Sequence, residues 1–332
     1  MCADSTYVRV IALDFSKAFD TVTHSTLLNK MSYMAIPDNV YNWIINFFDN
    51  CSHCTKFLGE FFKFLHILAI VIQGSVVGPA CYVVHAGDMR PVTDGNEMVK
   101  YADDTYLIIP EVNSASCEGE LRHIDQLAFH NNLRLNHKKS VEIVFHARGR
   151  HRCAAEQPAS LSNIKRVSSI KILCITINNQ LSMSGHITAL LGSCARMLYG
   201  LHVLRAHRLC QDCLKQVFLS TVLAKLLYAS PAWSGFCSAA DINKLNNFLN
   251  MFKNYYCKQI DSDITKLFKF ADESLFSSVQ SNTLHLLYPL FLAKSSQPYN
   301  LRPRSHNFVL SALTSTSDKC NFITRMLFHN AY

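Results

Sequence analysis

Short apolar runs alternate with segments of helical period over the first half of the chain, and the helical period alone persists from His186 onward. Val8-Arg9-Val10-Ile11-Ala12-Leu13 has the pattern of a buried strand and ends at Asp14. A helical segment around Ser25–Met34 follows. Pro37 stands just inside the next helix start, and Val40, Trp43, Ile44, Phe47 and Phe48 share one face of that helix. Cys51 to Ile72 reads as a hairpin turning near Gly59-Glu60, and a helix over about Val77–Met89 comes next. Met98-Val99 and Tyr106-Leu107-Ile108-Ile109 flank Tyr101-Ala102-Asp103-Asp104, which predicts strand, tight turn and strand with two adjacent carboxylates at the tip. An amphipathic helix over about Cys117–Asn131 and a strand at Val141–Phe145 complete this half.

Gly149 to Ser162 is polar, basic and irregular, the composition of a linker. Ile170 to Ile177 reads as a strand. Ile187, Leu190, Leu191, Cys194, Leu198 and Leu201 then mark one helix face, with further helices near 211–228 and 239–258. Residues 260–332 are the least readable part of the chain. Mixed strands and helices followed by helices alone predict an α+β domain and then a helical one, and 332 residues leave room for both. Phe64 to Val84 holds 21 residues without Asp, Glu, Lys or Arg, enough to cross a bilayer. Gln73-Gly74-Ser75 and Gly78-Pro79 interrupt it, so a strand, a turn and a buried helix account for the same residues. No stable membrane association is expected.

The net charge of +8 is unevenly spread. Residues 1–130 hold 8 Lys and Arg against 15 Asp and Glu, whereas residues 134–230 hold 14 against 3. An acidic half followed by a basic one suits a metal site beside a polyanion-binding surface. The 13 cysteines are odd in number and irregularly spaced, and no secretory signal opens the chain. Free thiols in a reducing compartment, nucleus or cytoplasm, are therefore expected, rather than secretion. Cys51-x-x-Cys54 and Cys210-x-x-Cys213 each lack a second half at zinc-finger spacing.

Carboxylates at strand ends, held close together, are what a pair of divalent cations needs for phosphoryl or nucleotidyl transfer. An Asp-Asp turn alone fits a solvated loop tip as well. The order of four blocks changes the balance: Val10-Ile-Ala-Leu-Asp-Phe-Ser-Lys-Ala-Phe-Asp-Thr-Val, Gln73-Gly-Ser-Val-Val-Gly-Pro, Tyr101-Ala-Asp-Asp, and Asn136-His-Lys-Lys-Ser-Val-Glu-Ile-Val-Phe. In order and spacing they closely resemble the palm of reverse transcriptases, in particular those of jockey-like non-LTR (LINE-type) retrotransposons. Leu227-Tyr-Ala-Ser-Pro-Ala-Trp and Arg304-Ser-His-Asn extend the likeness toward the C-terminus.

The resemblance implies an RNA-directed DNA polymerase built on a right-hand palm, with an antiparallel sheet and helices, followed by an all-α thumb-like domain. The corresponding divisions are a palm over 1–148, a linker and primer-grip strand over 149–183, a thumb-like domain over 184–260 and a C-terminal region over 261–332. It implies two magnesium ions, or manganese in their place, held chiefly by Asp14 and Asp103 with support from Asp104 and the carbonyl of Phe15. Asp20 is not a ligand in this pattern. Phe19, five residues past Asp14, takes the place of the aromatic that excludes a ribose 2′-hydroxyl, since a ring edge leaves room for hydrogen but not for oxygen. Taken alone, Phe19 fits core packing better, and the surrounding motif reverses that reading. Gln73 and Gly74 match the block that shapes the nucleotide and template pocket, where a glycine lets the backbone approach a ligand closely. Lys139 aligns with a lysine that protonates the leaving pyrophosphate; a lysine pair such as Lys138-Lys139 otherwise fits a solvated turn. The implied partners are an RNA template, a DNA primer and deoxynucleoside triphosphates.

The chain also departs from the family pattern. Ile70-Val71-Ile72 stands where Gly-Val-Pro is usual, and Cys174 where the primer-grip block has glycine. About seven residues precede the first strand, where the family carries its fingers. The chain is thus expected to be the palm-and-thumb part of a longer polyprotein, weakly active or inactive alone. The alternative is a non-catalytic, nucleic-acid-binding remnant of a mobile element.

Overall fold

The computed structural model describes residues 5–69, 71, 74–146, 157–255, 263–291, 306–310 and 316–329. Those up to 168 form one compact unit and those from 169 a second.

The first unit runs β1 (Tyr7–Leu13), α1 (His24–Ser32), α2 (Asp38–Phe48), β2 (Ser52–His53), β3 (Lys56–Phe57), β4 (Glu60–Phe61), β5 (Leu65–His66), α3 (Val77–His85), β6 (Glu97–Tyr101), β7 (Asp104–Pro110), α4 (Cys117–His130), β8 (Val141–His146) and β9 (Lys165–Arg166). The main sheet has the order β6-β7-β1-β8-β9 and is antiparallel except for the short β8–β9 pair. As the central strand, β1 is buried almost throughout, so it reads as a continuous apolar run rather than an alternation. Ile11 and Leu13 join Leu107 and Ile109 of β7, Ile124 and Ala128 of α4, and Tyr82 of α3 in one core.

The charged exception in β1 is Arg9, which is buried and donates from Nε to Glu142 Oε1 at 2.7 Å. Arg166 donates from Nε to the other oxygen of Glu142 at 2.8 Å. Both guanidinium groups also donate to the Ala159 carbonyl, at 2.7 and 3.0 Å. Ile11 pairs with Glu142 across the β1–β8 ladder, so Arg9 and Glu142 are diagonal neighbours on one face of the sheet.

The second unit opens with a hairpin of β10 (Ser169–Ile172) and β11 (Ile175–Asn178). Helices follow: α5 (Ser184–Ala206), α6 (Gln211–Val217), a π-helical turn at Phe218–Leu223, α7 (Ala224–Leu227), α8 (Ser230–Trp233), α9 (Ala239–Tyr255), α10 (Ile264–Ser281), α11 (Thr316–Cys320) and α12 (Phe322–Phe328). Ile187, Leu190, Cys194, Leu198 and Leu201 of α5 pack with Phe218, Trp233, Leu249 and Phe268. Among the described residues, α5 is the helix long and apolar enough to cross a membrane, and these packed side chains lie on it.

The α+β architecture agrees with the sequence pattern, and several local expectations are corrected. The strand read over Ile170 to Ile177 is two strands, because Leu173 and Cys174 both take positive φ, 43° and 70°, and reverse the chain. The apolar face of α2 is only partly used: Ile44 and Phe48 are buried, but Val40 and Trp43 are exposed. Helix α3 stops at His85, four residues short of Met89. The hairpin after Cys51 turns at Leu58-Gly59, with φ of 50° and 92°, as its glycine suggested. Ile70 and Ile72 of that segment, residues 149–156 of the linker, and Arg304 and Ser305 lie outside the described residues.

Candidate active site

The β6–β7 hairpin closes on Ala102 and Asp103, with Tyr101 paired to Asp104. Ala102 adopts φ 52°, a left-handed conformation that L-residues enter at a cost, so the carboxylate tip is a strained turn made without glycine. On the other edge of β7, Leu13 pairs with Thr105. One antiparallel step further on, the ladder brings Asp14 beside Asp104. The electrostatics agree with the register: burial pushes the Asp104 carboxyl above the usual range, and the charges of Asp103 and Asp14 push it further. Asp14 and the Asp103-Asp104 pair, about 90 residues apart in sequence, therefore share one field.

A closed loop of hydrogen bonds fixes the backbone of Asp14. Its N–H donates to Ser140 Oγ at 3.1 Å, and the Ser140 hydroxyl donates to the Asn136 carbonyl at 2.9 Å. The Asn136 N–H then donates to the Asp14 carbonyl at 2.7 Å. Phe15 bridges to Leu135 next to this loop, and the Ser16 N–H donates to the Arg134 carbonyl at 2.8 Å. The two bonds flank the Phe15–Leu135 pair, so the Phe15 carbonyl takes part in neither, while its ring is buried in the core. The same turn carries Lys139, which is exposed and has no ion pair among the described residues. The Asn-x-x-x-Ser spacing is visible in the sequence, but only the fold shows that it clamps Asp14.

Phe19 is half-buried and reaches the site through a turn in which Lys17 takes φ 51°. Its ring stacks on Tyr82, with centroids 4.5 Å apart and planes at 28°. Tyr82 is almost fully buried; burial raises its phenol pKa, and the Asp103 charge raises it further. Tyr82 thus touches Phe19 and lies within the field of Asp103. Sequence alone gave no signal for it beyond an aromatic on a buried helix. Gly74 takes φ 85°, and a Cβ built on it meets nothing within 4 Å. This backbone conformation itself favours glycine. Gln73 lies outside the described residues.

Among the described residues, no three His, Cys, Asp or Glu side chains are arranged to enclose a metal ion. The donor chemistry nevertheless fits a hard divalent cation. Magnesium takes one or two carboxylates and fills its remaining positions with water and phosphate oxygens. Burial raises Asp104 first, and the repulsion from Asp103 and Asp14 that adds to it is what such a cation relieves.

Residues 2–177 match the family model described as reverse transcriptase (RNA-dependent DNA polymerase). The chain is 29% identical over 250 residues to the RNA-directed DNA polymerase from mobile element jockey of Drosophila melanogaster, covering 70% of this chain and 26% of that protein. The chain therefore spans about a quarter of that relative's length. Apo telomerase from Candida tropicalis aligns over 81% of this chain and 46% of its own, with 12% identity and a TM-score of 0.41. Telomerase from the same yeast, solved with a fragment of telomeric RNA, aligns over 86% and 48%, with 10% identity and the same TM-score, 0.41.

Proposed function

Because the chain belongs to the reverse transcriptase (RNA-dependent DNA polymerase) family, we propose that it carries out RNA-directed DNA synthesis, with Asp14, Asp103 and Asp104 as the acidic pole of the reaction centre. The observation that carries this reading is the convergence of Asp14 with the Ala102-Asp103 hairpin tip. The substrates on this reading are an RNA template, a DNA primer and deoxynucleoside triphosphates, handled inside the cell in nucleus or cytoplasm. Asp14 and Asp103, supported by Asp104 and the Phe15 carbonyl, would hold magnesium or manganese. Bound there, the metal would activate the primer hydroxyl and stabilise the leaving pyrophosphate. The Phe19 ring, backed by Tyr82, excludes a ribose 2′-hydroxyl by contact. Lys139, in the turn clamped to Asp14, gives a proton to the departing pyrophosphate. The basic balance of residues 134–230 favours binding to phosphates.

The basic balance of residues 134–230, 14 Lys and Arg against 3 Asp and Glu, leaves one second reading, a nucleic-acid binder without catalysis. Primer extension separates the two. The chain, alone and fused to the upstream region of the jockey relative, is supplied with an RNA template, a DNA primer and magnesium. Metal-dependent extension that Asp103→Asn abolishes supports the polymerase. Salt-sensitive binding with no extension in either form supports the binder.

A further inference from the structure

Cys210 and Cys213 take no part in the site described above, yet they stand in a particular relation. Cys210 is the N-cap of α6 and Cys213 the third residue of its first turn. These are the N-cap and N3 positions, one turn apart at the start of the helix, and the Cys210 side chain makes no capping hydrogen bond. The Leu214 N–H donates to the Cys210 carbonyl at 3.0 Å, which closes the turn. Helical geometry then sets the two Cα atoms about 5–6 Å apart, inside the window of about 4.4–6.8 Å that a disulfide spans. Both thiols are free and exposed; among the described cysteines only Cys174 is also exposed.

We propose that Cys210 and Cys213 form a reversible dithiol–disulfide couple, a modification site oxidised by small-molecule disulfides of the glutathione class. The Cys210 thiolate attacks one sulfur of the oxidant, and that S–S bond breaks to release one glutathione thiolate, which takes up a proton. The Cys213 thiol loses its proton to water, and its sulfur attacks Cys210 Sγ. The second glutathione thiolate leaves. The pair gives up two electrons, and the oxidant becomes two thiols. The order of attack follows from the local bonding. The neighbouring Cys213 backbone and thiol hold Cys210 below the ordinary thiol range, whereas the Cys210 side chain and its charge push Cys213 up. Cys210 is thus the attacking sulfur and Cys213 the resolving one. Asp212 lies between them, with Arg208 and Lys215 on either side.

The test uses the full chain in glutathione buffers of increasing oxidised fraction, with acid quenching and tryptic mass analysis. Cleavage after Arg208 and Lys215 yields residues 209–215, which contain these two cysteines and no other. The expected result is a peptide lighter by two hydrogens, formed while Cys174 remains a thiol, and Cys210 alkylation about tenfold faster than that of Cys174. Cys213→Ser should trap glutathione on Cys210, and Cys210→Ser should leave Cys213 slow to react. Serine suits the N-cap and both positions are exposed, so the variants should keep the fold. A peptide that remains a dithiol after Cys174 has been glutathionylated would overturn the proposal. So would a wild-type chain in which the mixed disulfide on Cys210 persists.

Discussion

Asp104 stands beside Asp14 across the β1–β7 ladder, one step past the Leu13–Thr105 pair, and its carboxyl is held above the ordinary range. The consequence for stability has a definite sign. A carboxylate with a raised folded pKa costs the fold nothing below its unfolded value near 4, and it costs progressively more as pH rises through the folded value. At neutral pH, Asp104→Asn should therefore stabilise the first unit by a few tenths of a kcal/mol, since the group is exposed and screened. Magnesium should raise the melting temperature of the wild type and should raise that of Asp104→Asn less. Equal metal shifts in both proteins would remove Asp104 from the cation site.

How much of this was legible varies with the physics. Strand β1 could be read because a central strand is apolar at nearly every position, and its end at Asp14 followed from that. The Asp-Asp hairpin could be read from flanking apolar runs, but its turn carries Ala102 rather than glycine, so its strain was hidden. The clamp of Asn136 and Ser140 on Asp14 spans more than 120 residues and leaves no local periodicity. Helix α10 buries Ile264, Phe268, Phe276 and Val279 on one face, yet its period is hard to read in the sequence. Lys266 and Lys269 crowd the same stretch and blur the contrast between faces.

Phe19 bears on specificity through its stack with Tyr82. In a polymerising form of the protein, Phe19→Ala should increase ribonucleotide incorporation relative to deoxynucleotide, because removing the ring opens space without touching the carboxylates. Tyr82→Leu should shift the same ratio by a smaller amount, since it withdraws the support and leaves the gate. Single-nucleotide extension with paired ribo and deoxy substrates measures this. Equal losses with both nucleotide types would reduce Phe19 to core packing.

Leu173 and Cys174 form a two-residue turn with both φ values positive, the conformation that favours Asn-Gly. Cys174→Gly should stabilise the second unit by about 1 kcal/mol, and adding Leu173→Asn should increase the gain. Urea denaturation should show a higher midpoint at an unchanged slope. Glycine takes this backbone conformation without a Cβ penalty, and Cys174 occupies it under strain.

The buried Arg9–Glu142–Arg166 group makes a sharper demand. Glu142→Gln leaves the Arg9 guanidinium, about 5% exposed, without its counter-charge. Breaking such a pair from one side costs about 3–5 kcal/mol. Arg166→Gln should cost less, because Arg166 is partly exposed and Arg9 still neutralises Glu142. Melting temperatures of the two variants give the comparison, and a Glu142→Gln protein as stable as wild type would contradict it.

Glu120 ties this fold to acid pH. Burial alone would push its carboxyl up, but the N–H groups of Val92 and Thr93 and the Asn96 amide donate to it and hold it below the usual range. Asp241 in the second unit behaves alike: burial raises it, while Ser238 and Ser184 bring it below its usual value. A depressed folded pKa stabilises above the unfolded value, near 4 for these carboxyls, and that stabilisation is lost as pH falls through the folded value. Stability should therefore be level from neutrality to about pH 5 on account of these two groups and fall below about pH 4. Glu120→Gln should lower stability at pH 7 by about 1–3 kcal/mol, because buried donors lose a charged acceptor, and should flatten the acid limb for the first unit. Those donors hold the turn that leads into β6, the strand that delivers Asp103. The same variant should therefore weaken the magnesium-dependent rise in melting temperature, which a loss of stability confined to α4 would leave intact.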